Sequence, residues 1–201
     1  MRRLMALFFA LGPRRTAGAL MALMMVLLLP AGCAKEPPTE EMLKTAWELT
    51  ETRDFDKAME LARAYLSAHP GSSVGHYVFG KCWLHRPQAN TSIAKGEFET
   101  ALRLLADGED TGFLEEKMGR PAFEAAIHRD IGLALMRAIY DSLGQGLPPQ
   151  TVLPVMRLAL EHVDKGLALE PESSYLKEMR DTLIRMVPTG PPPAPVTRLT
   201  I

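Results

Sequence analysis

The chain has 201 residues and a formal charge near −1, with 23 basic and 24 acidic residues. Four of the arginines and none of the acids lie in residues 1–32, so the rest of the chain has 19 basic residues against 24 acids and a charge of about −5. A mildly acidic body argues against binding to nucleic acid, which requires a basic surface.

The first 32 residues have the three parts of an export signal. Four arginines form a basic head, residues 19–29 are an unbroken apolar run of 11, and the small pair Ala31-Gly32 follows. As a helix this run spans about 16 Å, which is short of the ~30 Å hydrocarbon core of a bilayer. Residues 1–32 are therefore predicted to be a cleaved signal peptide rather than a permanent transmembrane anchor.

The cysteine after this pair, Cys33, makes the segment similar to the lipobox of bacterial lipoproteins, although Pro30 stands where that family usually has leucine. The resemblance implies cleavage before Cys33 and lipid on its thiol, and several acyl chains hold a protein firmly on a membrane. Ala34 at the next position implies, by the same resemblance, the outer membrane, with the protein facing the periplasm. Residues 33–38 would be the lipidated cysteine and its tether. An ordinary secretory signal with an incidental cysteine is the alternative.

Beyond the tether, apolar residues three and four apart predict a pair of helices. Asp54 is a good N-cap for the second helix, which would end at His69-Pro70-Gly71 because a residue before proline is rarely helical. A shorter amphipathic helix over residues 42–49 precedes it, and the short separation predicts an antiparallel hairpin. The apolar positions of the second helix are Phe55, Ala58, Met59, Ala62, Tyr65 and Leu66.

Parts of this pattern return later in the chain. An alanine precedes a helix-ending proline by 12 residues in two places, Ala58 to Pro70 and Ala159 to Pro171. A Phe-x-x-Ala sequence also occurs twice, at residues 55–58 and 98–101. Such spacing indicates related helical units rather than one irregular bundle.

These residues resemble the tetratricopeptide repeat, a helix-turn-helix unit with an aromatic residue before a small one and a closing proline. The resemblance implies an all-α fold of antiparallel helix-turn-helix repeats stacked as a short right-handed solenoid with a C-terminal capping helix. About three repeats would occupy residues 39–187, with inserted loops at 86–94 and 144–154, and residues 131–140 would lie in the first helix of the third. A generic helical bundle is the alternative. The small residues that would let helices approach are Ala46, Ala58, Gly80, Ala101 and Ala159.

Two segments are predicted to lack packed structure. Residues 107–116 are acidic without the ligand pattern of a calcium loop, and they are predicted to be a surface linker. Residues 188–201 contain five prolines and are predicted to be a disordered tail. The alternative for the tail is an extended peptide that docks into a partner.

Few residues after the predicted signal peptide indicate catalysis or metal binding. Cys82 lies in an apolar context and is predicted to be a small buried residue. His76, Cys82 and His85 share a helical stretch, but their spacing matches no zinc signature. Glu124 and His128, four residues apart, are predicted to form a solvated helix contact. Because no phosphate loop, nucleophile elbow or HExxH motif occurs, we predict no enzyme, no cofactor and no metal site.

The resemblance also implies how such a protein would act. Stacked repeats offer a groove lined by the first helix of each pair, which suits a peptide or helix of a partner. Tetratricopeptide lipoproteins serve pilus secretins, outer-membrane-protein insertion and peptidoglycan enzymes, so the predicted function is a scaffold or adaptor with protein partners in envelope, secretion or pilus assembly. The alternative is a periplasmic lipoprotein that binds a small ligand or metal in a pocket of His76, Cys82 and His85. The candidate partner-binding residues are Lys44, Glu48, Glu51, His76, Lys81 and Arg137.

Overall fold

The computed structural model describes residues 39–107 and 111–186, and within them the regular structure is entirely helical. The predicted all-α class is therefore confirmed. The predicted signal peptide 1–32, the tether 33–38 and the tail 188–201 lie outside the described residues. The helices of the described ranges are α1 (Glu40–Glu51), α2 (Phe55–Ala68), α3 (Ser73–His85), α4 (Thr91–Asp107), α5 (Thr111–Lys117), α6 (Arg120–Gly144), α7 (Pro149–Leu169) and α8 (Ser174–Met186).

The first two helices form the predicted hairpin. The side chain of Asp54 accepts a hydrogen bond from the backbone N–H of Lys57 at 3.5 Å, as expected of an N-cap. Arg53, in the turn before it, has a φ of 65°, which reverses the chain within three residues. Helix α2 ends at Ala68, two residues before Pro70. Both predicted ends of α2 are confirmed.

Most of the described helices pack on their neighbours along the chain. Helices α1 and α2, α3 and α4, and α6 and α7 form three pairs, and α2 with α3 and α4 with α6 join one pair to the next. The first helices of the pairs, α1, α3 and α6, also contact one another in order. Helix α8 packs on α7, at the position predicted for a capping helix.

Small residues lie where these helices approach closely. Ala46, Ala58, Ala101 and Ala159 have no exposed surface. Gly80 is buried as well, and a Cβ atom at this position would lie 2.7 Å from Cε1 of Phe98. The distance between α3 and α4 therefore depends on a residue without a side chain at position 80.

The two inserted loops are shorter than predicted. Only residues 86–90 connect α3 to α4, because the Asn90 side chain accepts a hydrogen bond from the N–H of Ile93 and begins the helix there. The predicted loop 144–154 is also wrong in its extent, since α7 begins at Pro149 and includes Pro154. Pro149 is tolerated because the N–H groups of the first helical turn have no partner within the helix.

The region between the second and third pairs differs most from the prediction. Residues 111–117, predicted as part of a surface linker, form α5, and the third pair begins at Arg120 rather than near residue 131. Phe113 and Leu114 of α5 are only 3% and 2% exposed, so this segment is packed against the body. Although α6 has 25 residues, neither it nor any other described helix is long and apolar enough to cross a bilayer.

Candidate partner-binding surface

Helix α1 presents one face that combines charge with an aromatic ring. Lys44, Trp47, Glu48 and Glu51 are three or four residues apart and so lie side by side on the helix. The Trp47 ring is 4% exposed, and its Nε1 donates to Oε1 of Glu51 at 2.9 Å. We call these four residues the α1 face. Three of them, Lys44, Glu48 and Glu51, were predicted from the sequence as partner-binding residues.

The charged residues of the α1 face are engaged by α5. Nζ of Lys44 donates to Oε2 of Glu116 at 2.8 Å, and Nζ of Lys117 lies 3.8 Å from Oε1 of Glu48. The hydrogen bond to Glu116 raises the pKa of Lys44, and the same bond lowers the pKa of Glu116. Opposite charges therefore meet at two positions along this contact.

Between the two charge contacts lies an aromatic one. The rings of Trp47 and Phe113 meet edge to face with their centroids 5.7 Å apart. Trp47 also lies 5.6 Å from Tyr77 of α3 and 6.3 Å from Phe123 of α6. Trp47 thus connects α1 with α3, α5 and α6 at a single point.

Lys81 on α3 extends the same surface. Its ammonium group lies 5.8 Å from the ring centroid of Trp47 and 5.7 Å from that of Tyr77, within cation–π distance of both. Burial lowers the pKa of Lys81. The structure therefore places Lys81, another of the predicted partner-binding residues, beside the α1 face.

The floor of this surface is a buried polar network. The Tyr77 hydroxyl donates to Oδ2 of Asp130 at 2.9 Å, and Nε of Arg129 donates to Oδ1 of Asp130 at 2.8 Å. Burial raises the pKa of Tyr77, so the hydroxyl keeps its proton and can act as a donor. Asp130 is 2% exposed, and a buried carboxylate needs such partners. The network fixes the Tyr77 ring against Trp47.

Arg137 lies farther along, at the C-terminal end of α3. Its guanidinium donates to the backbone oxygen of Leu84 at 2.8 Å, which satisfies a carbonyl at the helix end. His85 stacks on Phe55 with centroids 5.4 Å apart, and burial lowers its pKa. A cavity of about 490 Å³ opens beside these residues, lined by Thr50, Glu51, Arg53, Phe55, Lys81 and His85.

His76 does not join the α1 face. Its Nδ1 lies 2.6 Å from Oε2 of Glu97 and its Nε2 lies 3.1 Å from the backbone oxygen of Pro70. Both partners accept hydrogen bonds, so the doubly protonated imidazolium satisfies both contacts. The hydrogen bond to Glu97 raises the pKa of His76 accordingly. His76 therefore ties α3 to α4 and does not lie with the predicted residues of the α1 face.

The pocket considered for a metal or small ligand is not formed by the predicted residues. Cys82 has no exposed surface, as predicted, and burial raises its pKa to about 12. The ring of His85 stacks on Phe55, and His76 is held by Glu97. Among the described residues, no three histidine, cysteine or acidic side chains lie close enough to hold a metal ion together.

One buried pair was missed by the sequence reasoning. His128 was predicted in a solvated contact with Glu124, yet it is 5% exposed and its Nδ1 lies 3.0 Å from Nδ1 of His162. Burial lowers the pKa of both rings, and that of His162 falls to about 4, with repulsion from His128 as the second cause. The neutral pair has one ring donating to the other. A cavity of about 460 Å³ between α4, α6 and α7 borders His128.

Helix α5 was also missed, although its sequence carried a signal. The adjacent apolar pair Phe113-Leu114 is followed by Glu116 and Lys117, which is the composition of a short amphipathic turn. Because acidic residues surround this pair, the sequence predicted a surface linker here rather than a helix.

No protein-family model matches the chain, and no curated protein matches it significantly.

Proposed function

We propose that this protein is a lipid-anchored envelope protein whose body is a tetratricopeptide-like repeat, and that it binds a protein segment on the α1 face and the adjoining surface of α3. It serves as a scaffold or adaptor in envelope, secretion or pilus assembly, and acts by binding rather than by catalysis. A lipid anchor on Cys33, in the outer membrane and facing the periplasm, is part of this proposal.

The observation that carries the binding role is the occupied α1 face. A helical segment, α5, already binds there through one aromatic contact and two contacts between opposite charges. An aromatic centre flanked by charged groups is typical of surfaces that bind protein segments. The surface therefore has the chemistry to bind a helix, and it does so within its own chain.

The order of helix contacts supports the repeat architecture. Three successive pairs pack in chain order, and their first helices touch one another, as stacked repeats require. The small residues that the resemblance placed at the contacts are buried there. The lipid anchor rests on the sequence of residues 19–34 alone, which lie outside the described residues.

Photo-crosslinking in intact cells tests the binding role. A photoreactive amino acid is placed at Glu51, Lys81 or Arg137, and the matched controls carry it at Lys57 or Arg103 on the second helices α2 and α4. We expect a protein adduct from the first set and none from the controls. Equal adducts from both sets, or none from either, would contradict a binding surface formed by the first helices.

A further inference from the structure

Helix α5 is too short to be stable without the surface beneath it. It has seven residues, and isolated helices of this length do not form in water. Its apolar residues Phe113 and Leu114 are almost fully buried. Its helical structure is therefore imposed by the place where it binds.

The ion pairs that accompany this contact hold α5 only weakly. The side chains of Glu116 and Glu48 are 55% and 63% exposed, so solvent and salt screen their attraction to Lys44 and Lys117. Such pairs fix the direction and register of a helix more than they strengthen its binding. The strength comes from the ring of Phe113 on Trp47 and from the burial of Leu114.

The rest of the body does not need α5 in order to stack. Helices α4 and α6, which precede and follow α5 in the chain, contact each other directly. Gly119, between α5 and α6, has a φ of 78°, so the chain turns sharply there, and α5 also contacts α6. Release of α5 would uncover the α1 face while leaving the contact between the second and third pairs in place.

We propose that α5 occupies a binding site for a partner protein, and that a short amphipathic helix of that partner displaces it. The partner helix carries an aromatic residue followed by leucine for the Trp47 surface, an acid that meets Lys44 and a base that meets Glu48. This inference rests on the proposed binding function, and it names the partner's chemistry and the way in which access to the site is controlled.

The test uses the full chain with Trp83→Phe, which leaves Trp47 as the only tryptophan. An open variant adds Phe113→Ser and Leu114→Ser to remove the apolar contacts of α5. The probe is a synthetic, fluorescently labelled peptide with the sequence of residues 111–119. Emission of Trp47 reports whether the α1 face is covered, and fluorescence anisotropy of the label reports binding of the peptide.

We expect the emission of Trp47 to shift to the red in the open variant and to return when the peptide is added. The peptide should bind the open variant at least tenfold more tightly than the parent, because α5 competes within the parent chain. Lys44→Glu in the open variant should weaken binding, and a peptide carrying Glu116→Lys should restore it. A peptide carrying Phe113→Ser should not bind.

A second substitution that should release α5 controls for the possibility that the open variant misfolds. Glu116→Lys alone leaves the buried residues intact and places two cations together, so it should give a smaller red shift and intermediate peptide binding. If the peptide binds neither variant while both retain the parent's circular dichroism, the inference is wrong. Equal binding to parent and open variants would also overturn it. So would sedimentation showing that a second copy of the chain supplies the helix on the α1 face.

Failure of the inference that a partner helix displaces α5 can be distinguished from failure of the proposed binding function. Among the described residues, no hydrogen bond or ion pair joins Lys81 or Arg137 to α5, so crosslinks from them to a partner in cells would persist if α5 were only a structural element. Loss of those crosslinks, in contrast, would remove the binding role itself.

Discussion

His128 and His162 are buried side by side, so the protonation of each ring depends on the other. Burial lowers the pKa of both, that of His162 to about 4, whereas in the unfolded chain each titrates near 6.5. Above pH 6.5 the rings are neutral in both states and the folded state keeps its full stability. As the pH falls below 6.5 the unfolded chain takes up protons that the folded protein resists, so stability is lost until the pH approaches 4.

We therefore predict that the free energy of unfolding falls by about 1–2 kcal/mol from pH 7.5 to pH 5 because of this pair. Urea unfolding at several pH values measures it. The double variant His128→Leu/His162→Leu should show a flatter dependence of stability on pH than the parent. A parental slope in the double variant would mean that the pair does not titrate in this way.

The contact between His76 and Glu97 should act in the opposite direction. The hydrogen bond to Glu97 raises the pKa of His76, so its contribution to stability is present below pH 6.5 and is lost as the pH rises through the folded-state value. We expect Glu97→Gln to destabilise the protein by about 0.5–1 kcal/mol at pH 6 and by less at pH 9. Thermal unfolding of both proteins at the two pH values checks this, and a loss that grows with pH would contradict it.

At the scale of the helices, the close approach of neighbouring helices depends on a few small residues. A Cβ on Gly80 would lie 2.7 Å from the Phe98 ring, whereas a Cβ on Gly96 would meet no atom within 4 Å. Gly80→Ala should therefore destabilise the protein by roughly 1–3 kcal/mol, because α3 and α4 must move apart. Gly96→Ala, on an open face of α4, should stabilise it by about 0.5–1 kcal/mol through helix propensity.

Chemical denaturation of the two glycine variants checks both signs under the same conditions. Equal effects of the two substitutions would show that α3 and α4 tolerate a side chain at position 80. The contact between α3 and α4 also bears on the proposed repeat architecture, because Gly80 occupies the small-residue position of the second helical pair.

At the scale of the whole molecule, the proposed attachment to the membrane depends on one residue, Cys33. Metabolic labelling with an alkyne fatty acid should mark the parent protein and leave Cys33→Ser unlabelled. The variant should appear in the soluble periplasmic fraction, while the parent stays with the outer membrane. Equal labelling of both proteins, or a soluble parent, would remove the anchor from the proposed function.

Local features of the body could be predicted because their causes lie within a few residues along the chain. The all-α class follows from apolar spacing, the start of α2 from the side chain of Asp54, and its end from Pro70. The burial of Cys82 and of the alanines at the helix contacts follows from their apolar surroundings. These features need no knowledge of which helices meet.

The features that form the candidate site are of another kind, because they join residues far apart in sequence. Tyr77 and Asp130 are 53 positions apart, His128 and His162 are 34 apart, and Lys44 meets Glu116 across 72. Helical periodicity shows that a residue faces inward or outward but does not identify its neighbour. For this reason the sequence by itself determined the all-α class, the first helical hairpin and the ends of α2. Only the tertiary structure, through the ring contact of Phe113 with Trp47 and the burial of Leu114, decided that α5 covers the α1 face and that His76 lies elsewhere.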